Sequence, residues 1–138
     1  MSWETLNFAE ISLTPPPVPV GDYVFQILSG SVDERGGIQV QAAVTEGEHA
    51  GRRIYFGYPD PASISRKGDK NEWSAREFKR LQNAIGEDML FGETVQSYFA
   101  RVLGKTFAGV LTKHTWKDET GEERSNSKLK LSSVRPGV

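Results

Sequence analysis

The sequence predicts a mainly β domain with a helical insertion. Three observations lead there. Ile38, Val40, Ala42 and Val44 alternate with Gln39, Gln41 and Ala43, the period of a strand with one apolar and one wet face. Arg52–Tyr58 and similar stretches, rich in β-branched and aromatic residues, are bounded by glycine-bearing turns. Between the third and fourth of these stretches the apolar spacing changes to that of a helix.

Residues 1–20 form an extended Pro-rich leader. Trp3, Leu6, Phe8, Ile11 and Leu13 follow no clean period, and Pro15–Pro17 with Pro19 favour a polyproline-like spacer. Such a leader reads either as a tail or as a short peptide that docks on a neighbouring subunit or a partner. The domain proper is expected over residues 21–136.

Its first strand is Gly21–Leu28, followed by a turn over Ser29–Gly37 with Asp33, Glu34, Arg35 and a Gly-Gly pair. The second strand is Ile38–Glu46. Gly47–Gly51 turns the chain into the third strand, Arg52–Tyr58. Ile54 and Phe56 share its core face, and Arg53 and Tyr55 share the wet one beside Gln39 and Gln41. A helix is expected from Ser74, with Glu77 three residues on in capping-box spacing and Gly86 as its left-handed terminator. Thr94 is the expected cap of a second helix. Its stripe of Val95, Tyr98, Phe99, Val102 and Leu103 packs a core and closes at Gly104. Thr106–Trp116 is the fourth strand, Asp118–Glu123 its turn, and Arg124–Val134 the fifth, with Leu129 and Leu131 inward and Lys128 and Lys130 outward.

Three strands, a two-part helical segment and two strands match the order of a five-stranded OB-fold-like Greek-key barrel with helices between strands 3 and 4. A meander sheet covered by a helix pair is the alternative.

Composition narrows the function classes. The chain has 138 residues and no cysteine, which excludes disulfides and thiolate metal sites. His49 and His114 are its only histidines, too few for a His-based metal cage. No apolar run approaches the roughly 18–20 residues that span a bilayer, and the first residues lack the basic and apolar regions of a secretory signal. A cytoplasmic location is expected. No Walker loop, G-x-S-x-G or H-E-x-x-H is present, so neither an enzyme nor a cofactor is expected. The acidic group Asp118, Glu119, Glu122 and Glu123 reads as a solvated hairpin tip. A metal-dependent nuclease would need carboxylates converging from different strands.

Net charge is −1, but it is unevenly laid out. Residues 1–51 carry one Arg against seven acids, and residues 52–80 carry eight Lys/Arg against four acids. Residues 105–138 carry seven bases against four acids. Such a layout lets part of the surface attract phosphates while the whole stays near neutral. The cations lie beside aromatics. The third strand supplies Arg52, Arg53, Tyr55 and Tyr58. The loop before the helix supplies Arg66, Lys67, Lys70 and Trp73. The last hairpin supplies Lys113, Trp116, Lys117, Lys128 and Lys130. Cations for the backbone and rings for the bases are the chemistry of sequence-tolerant single-strand binding. Tyr55, Tyr58 and Trp116 also suit a core.

GDYVFQI, VTEGEHAGRRIYFGY, AREFKRLQNAIG, VLGKTFAGVL and KLKLSSVRP together resemble a group of phage-encoded proteins, catalogued as domain of unknown function 669, over about Gly21 to Pro136. The resemblance implies an OB-like fold, single-stranded DNA as partner, and a role in replication or recombination beside phage or host enzymes in the host cytoplasm. It allows a homo-oligomer. Two features depart from a single-strand coating protein: the acidic tip of the last hairpin, and an Arg135-Pro-Gly-Val ending in place of an acidic recruiting tail. A phage protein-interaction module, an inhibitor or assembly adaptor with the leader as bait, is the rival reading.

Overall fold

A computed structural model describes Glu4, residues 18–63, Gly68 and residues 70–137. Strand β1 (Gly21–Val32) is central. It pairs antiparallel with β2 (Ile38–Val44) on one side and with β4 (Thr106–Lys117) on the other. Strand β3 (Arg53–Tyr58) extends the sheet beyond β2, and β5 (Glu123–Leu129) extends it beyond β4. A two-residue strand, β6 (Arg135–Pro136), also pairs with β4. The fold is therefore mainly β: among the described residues, six antiparallel strands with two α-helices, α1 (Trp73–Ile85) and α2 (Val95–Arg101), between β3 and β4. The path β3-β2-β1-β4-β5 curls until its two end strands meet.

The expected fifth strand, Arg124–Val134, is divided. Its ladder stops at Leu129, and Leu131–Ser133 forms a 3₁₀ turn before β6. The Ser133 hydroxyl is the cause. It donates to the Lys130 carbonyl and accepts from the Val110 N–H (2.8 Å), taking over a ladder position. Strand β1 runs longer than expected, through Val32, after a bulge between Ile27 and Ser29.

Period-2 alternation sorts the sheet. Val40, Ala42 and Val44 of β2 and Ile54, Phe56 and Tyr58 of β3 are buried, while Arg53 and Tyr55 are exposed. The core is linked by aromatic contacts from Phe25 to Phe107 (5.4 Å between centroids), Phe107 to Phe56 (5.8 Å), and on through Tyr58 to Phe78 (5.5 Å). The helices close it with Phe78, Leu81, Tyr98, Phe99 and Val102.

The helix caps divide. Thr94 Oγ1 accepts from the Ser97 N–H (3.1 Å), and Gly86, at φ 86°, donates to the Gln82 carbonyl (2.9 Å), both as the sequence predicts. The capping box at Ser74 does not form. Helix α1 starts one residue earlier, capped by Glu72 without a side-chain hydrogen bond. Ser74 is buried inside the first turn, where its single hydroxyl proton is shared between the Pro59 (2.7 Å) and Asn71 (2.8 Å) carbonyls, while Glu77 pairs with Arg80. A tertiary contact thus took the hydroxyl that a local cap would have used. Leu103, expected in the α2 stripe, is exposed, and Val102 ends the helix.

Candidate nucleic-acid interface

The outward row of β2 and β3 is tied across the ladder. Gln41 stands opposite Tyr55, and its amide donates to the Tyr55 hydroxyl (3.3 Å). The same glutamine accepts from Ser29 of β1 (3.3 Å), and the Gln39 amide donates to Asp33 (2.9 Å). These bonds hold a polar platform from which the Tyr55 ring projects, 69% exposed.

Three clefts follow one another along this face where β3 meets β5. The first is lined by Val18, Arg52, Arg53, Tyr55, Asn126 and Ser127. The second, of about 410 Å³, is lined by Tyr55, His114, Trp116, Asn126, Ser127 and Lys128. The third includes Arg35, Gln39, Asn71 and Lys128. Tyr55, Asn126 and Ser127 are common to the first two, and Lys128 to the last two, so the clefts form one track. In the second, the His114 and Trp116 rings stack, 5.6 Å apart and 24° from parallel. Trp116 is 42% exposed, and Tyr55 lines the same cleft.

Strand register explains the grouping. Thr112, His114 and Trp116 of β4 lie opposite Lys128, Asn126 and Arg124 of β5, all on one face of the hairpin. Lys113 and Lys117 alternate with them and are exposed; neither lines any of the three clefts, although Ser127, opposite Lys113, lines the first two. Lys130 lies past the end of β5, exposed, at the start of the 3₁₀ turn. Lys70 and Trp73 flank the third cleft without lining it. Their neighbour Asn71 lines it, and the Trp73 indole N–H donates to the Asn71 side chain (3.3 Å). Arg66 and Lys67 lie outside the described residues.

Tyr58 is corrected. It shares the parity of Ile54 and Phe56 and is buried in the core, only 3% exposed, so it reaches the track only as part of the wall of the third cleft. Burial drives its phenol pKa well above the usual tyrosine range, and its hydroxyl has no hydrogen-bond partner among the described residues.

Electrostatics vary along the track. Arg53 and Lys128 mark the stretch around Tyr55. The third cleft also holds Asp33 and Asp60. Hydrogen bonds from Gln39 and the Gly37 N–H hold the Asp33 carboxyl below its ordinary range, so it is ionised at neutral pH and repels a phosphate there. The acidic hairpin tip is internally paired. Asp118 accepts from Thr120, the Glu122 N–H and Arg124 (2.8 Å), and Arg124 also reaches Glu122. No group of three or more His, Asp or Glu side chains among the described residues could hold a metal ion. No helix among them is long and apolar enough to cross a membrane.

Sequence reasoning missed His114, Asn126 and Arg35 as lining residues. The signal for His114 was present: it is two residues from Trp116 on a strand, hence on the same face. Neither a protein-family model nor a curated protein matches the chain.

Proposed function

We propose that the chain is an OB-fold-like protein that binds single-stranded DNA without sequence preference along the β3–β5 track. One observation carries the reading. Tyr55 and the stacked His114–Trp116 pair line one open cleft, with Lys128 in it and Arg53 in the cleft before. Rings spaced along an open groove stack successive bases of any identity, and the flanking cations follow the phosphates. A duplex, whose bases are already stacked, gains nothing from such rings.

Two further points support it. The strand path β3-β2-β1-β4-β5 with its ends in contact is compatible with an OB-like barrel, a fold whose ligands lie on the face of strands 2 and 3 and at its hairpin loops. The resemblance to the phage family of domain of unknown function 669 points the same way, to a non-enzymatic role in phage replication or recombination inside the host cell.

Fluorescence anisotropy of labelled oligo-dT tests the reading, at low salt and again near ~0.2 M salt. Tight binding that collapses with salt, with duplex competing poorly, is the expected result. No binding at low salt overturns it.

A further inference from the structure

His114 has no part in the core. It lies on the exposed half of β4, where its ring stacks on Trp116, 5.6 Å away and 24° from parallel. Residues two apart on a strand stand side by side on one face, which fixes that contact. Stacking occupies a ring face and leaves the ring edge free. Neither imidazole nitrogen has a hydrogen-bond partner among the described residues. The ring is thus held by its face while both nitrogens on its edge stay unclaimed.

The cleft around the ring carries positive charge and no negative charge. Lys128 of β5 and Tyr55 of β3 line it with His114, and Asn126 stands directly opposite His114 in the ladder. Arg124, opposite Trp116, is engaged by Asp118 and Glu122 of the hairpin tip. On β4 itself Lys113 and Lys117 alternate with His114. Arg53 lies in the adjoining cleft with Tyr55. Among the described residues no carboxylate lines either cleft. Asp33 and Asp60 line the third, which shares Lys128 but not His114. A proton on His114 therefore finds no counter-ion among the residues that line its cleft.

We infer that His114 binds a phosphate of the single strand as imidazolium, so that the track grips more tightly as pH falls through the ordinary imidazole range. The inference rests on the nucleic-acid reading and adds to it one binding residue and its control by pH. A neutral imidazole has one N–H and one bare lone pair, whereas the protonated ring has two donors and a charge. A phosphate oxygen at the ring edge favours the protonated form, so binding takes up a proton, and by linkage a lower pH tightens binding. The indole favours the same form, because a cation over a tryptophan face is attracted by the ring quadrupole. Trp116 stays exposed even with the imidazole against it, which leaves ring surface for a base. Lys128 supplies a charge that is constant near neutral pH, and His114 supplies one that changes there.

The experiment is anisotropy titration of labelled oligo-dT at about pH 5.5 and about pH 8, on either side of the ordinary imidazole value, each over a series of salt concentrations. Neither thymine nor the phosphodiester titrates between these values, and the lowered carboxyls of Glu93, Asp33 and Asp118 titrate below them. For the full chain the slope of log affinity against log salt should be steeper at the lower pH by about 0.7, one phosphate contact. Affinity at any one salt concentration should be higher there. His114→Phe keeps a ring against Trp116 and cannot take a proton, so its slope should be equal at the two pH values. His114→Arg carries a fixed charge and should show the steeper slope at both. His49, the other histidine, lines a cleft with Tyr23, Glu46 and Arg135 that shares no residue with the track, so His49→Gln should behave as the parent. Thermal melts at both pH values check that each variant is folded. A parent that binds with equal slopes at the two pH values overturns the inference and leaves the nucleic-acid reading standing. A pH dependence that survives in His114→Phe overturns it as well. No binding at either pH overturns both.

Discussion

The Gln41 amide donates to the Tyr55 hydroxyl across the β2–β3 ladder, at 3.3 Å. The bond braces a ring that is otherwise in water, so little rotamer freedom is lost when a base stacks on it. Tyr55→Ala should therefore weaken oligo-dT binding roughly 5- to 150-fold, the span of one stacked base at about 1–3 kcal/mol. Tyr55→Phe should keep most of the affinity. Anisotropy titration reads both, and a thermal melt should show the fold unchanged, because the side chain is outside the core. Equal affinity for Tyr55→Ala and parent would remove Tyr55 from the interface.

Strand parity separates the lysines of the last hairpin. Lys128 lines the track, Lys113 and Lys117 line none of its clefts, and Lys130 lies beyond the strand. Lys128→Ala should lower the slope of log affinity against log salt by about 0.7, the value of one phosphate contact on a single strand. Lys130→Ala should leave that slope nearly unchanged. A larger loss for Lys130→Ala would place the strand on another face of the hairpin.

Much of this arrangement was legible in the sequence, and the illegible parts share one cause. Alternation placed Arg53 and Tyr55 outward and Ile54 and Phe56 inward, as the structure has them. The same rule puts Tyr58 inside, and counting it among ligand-facing rings put chemistry ahead of parity. Thr94 and Gly86 cap as local rules require. Ser74 does not, because its partner is the carbonyl of Pro59, fifteen residues earlier. The meeting of β3 with β5 is a contact of still greater sequence separation, and it alone brings Tyr55 to Trp116. Local pattern reports faces and caps. It does not report which distant face becomes a neighbour.

Gly30 of β1 packs under α2. A Cβ built on it would lie 2.2 Å from the Phe99 ring, which is itself buried. Neither can move freely, since Phe99 also packs against Phe78 (6.1 Å) and Tyr98 (5.4 Å). Gly30→Ala should destabilise the fold by about 1–3 kcal/mol through overpacking. Urea denaturation should show a lower midpoint with the slope unchanged. A midpoint equal to that of the parent would mean that α2 packs more loosely than this contact implies.

Arg101 binds Glu93 through two nitrogens, at 2.8 and 3.1 Å, and this pairing holds the Glu93 carboxyl below its ordinary value of 4.5. The sign follows from proton counts. Between the lowered folded value and 4.5 the unfolded chain binds more protons, so stability rises with pH there. The contribution is complete above 4.5 and is lost as pH falls through the lowered value. Asp33 and Asp118, both lowered from 3.8, act in the same direction. Thermal melts should show Tm falling on acidification below about pH 4.5, and Glu93→Gln should flatten that fall. An unchanged acid limb in Glu93→Gln would mean that the pair with Arg101 does not persist in solution.

Tyr58 offers a test in which removing a polar group should help. Its hydroxyl is buried without a partner among the described residues, while its ring packs on Phe56 (6.0 Å) and Phe78 (5.5 Å). Desolvating an unpaired hydroxyl costs about 1–3 kcal/mol, and deleting it without altering the ring removes that cost. Tyr58→Phe should therefore be neutral or stabilising by about 1 kcal/mol in urea denaturation. Affinity for oligo-dT should not change, because the ring faces the core. Tyr58→Ala, by contrast, removes the ring that joins the sheet to α1 and should cost about 3–5 kcal/mol, the range of large aromatic truncations. If Tyr58→Phe lowered stability, the hydroxyl would have a partner in solution, a bound water being the simplest.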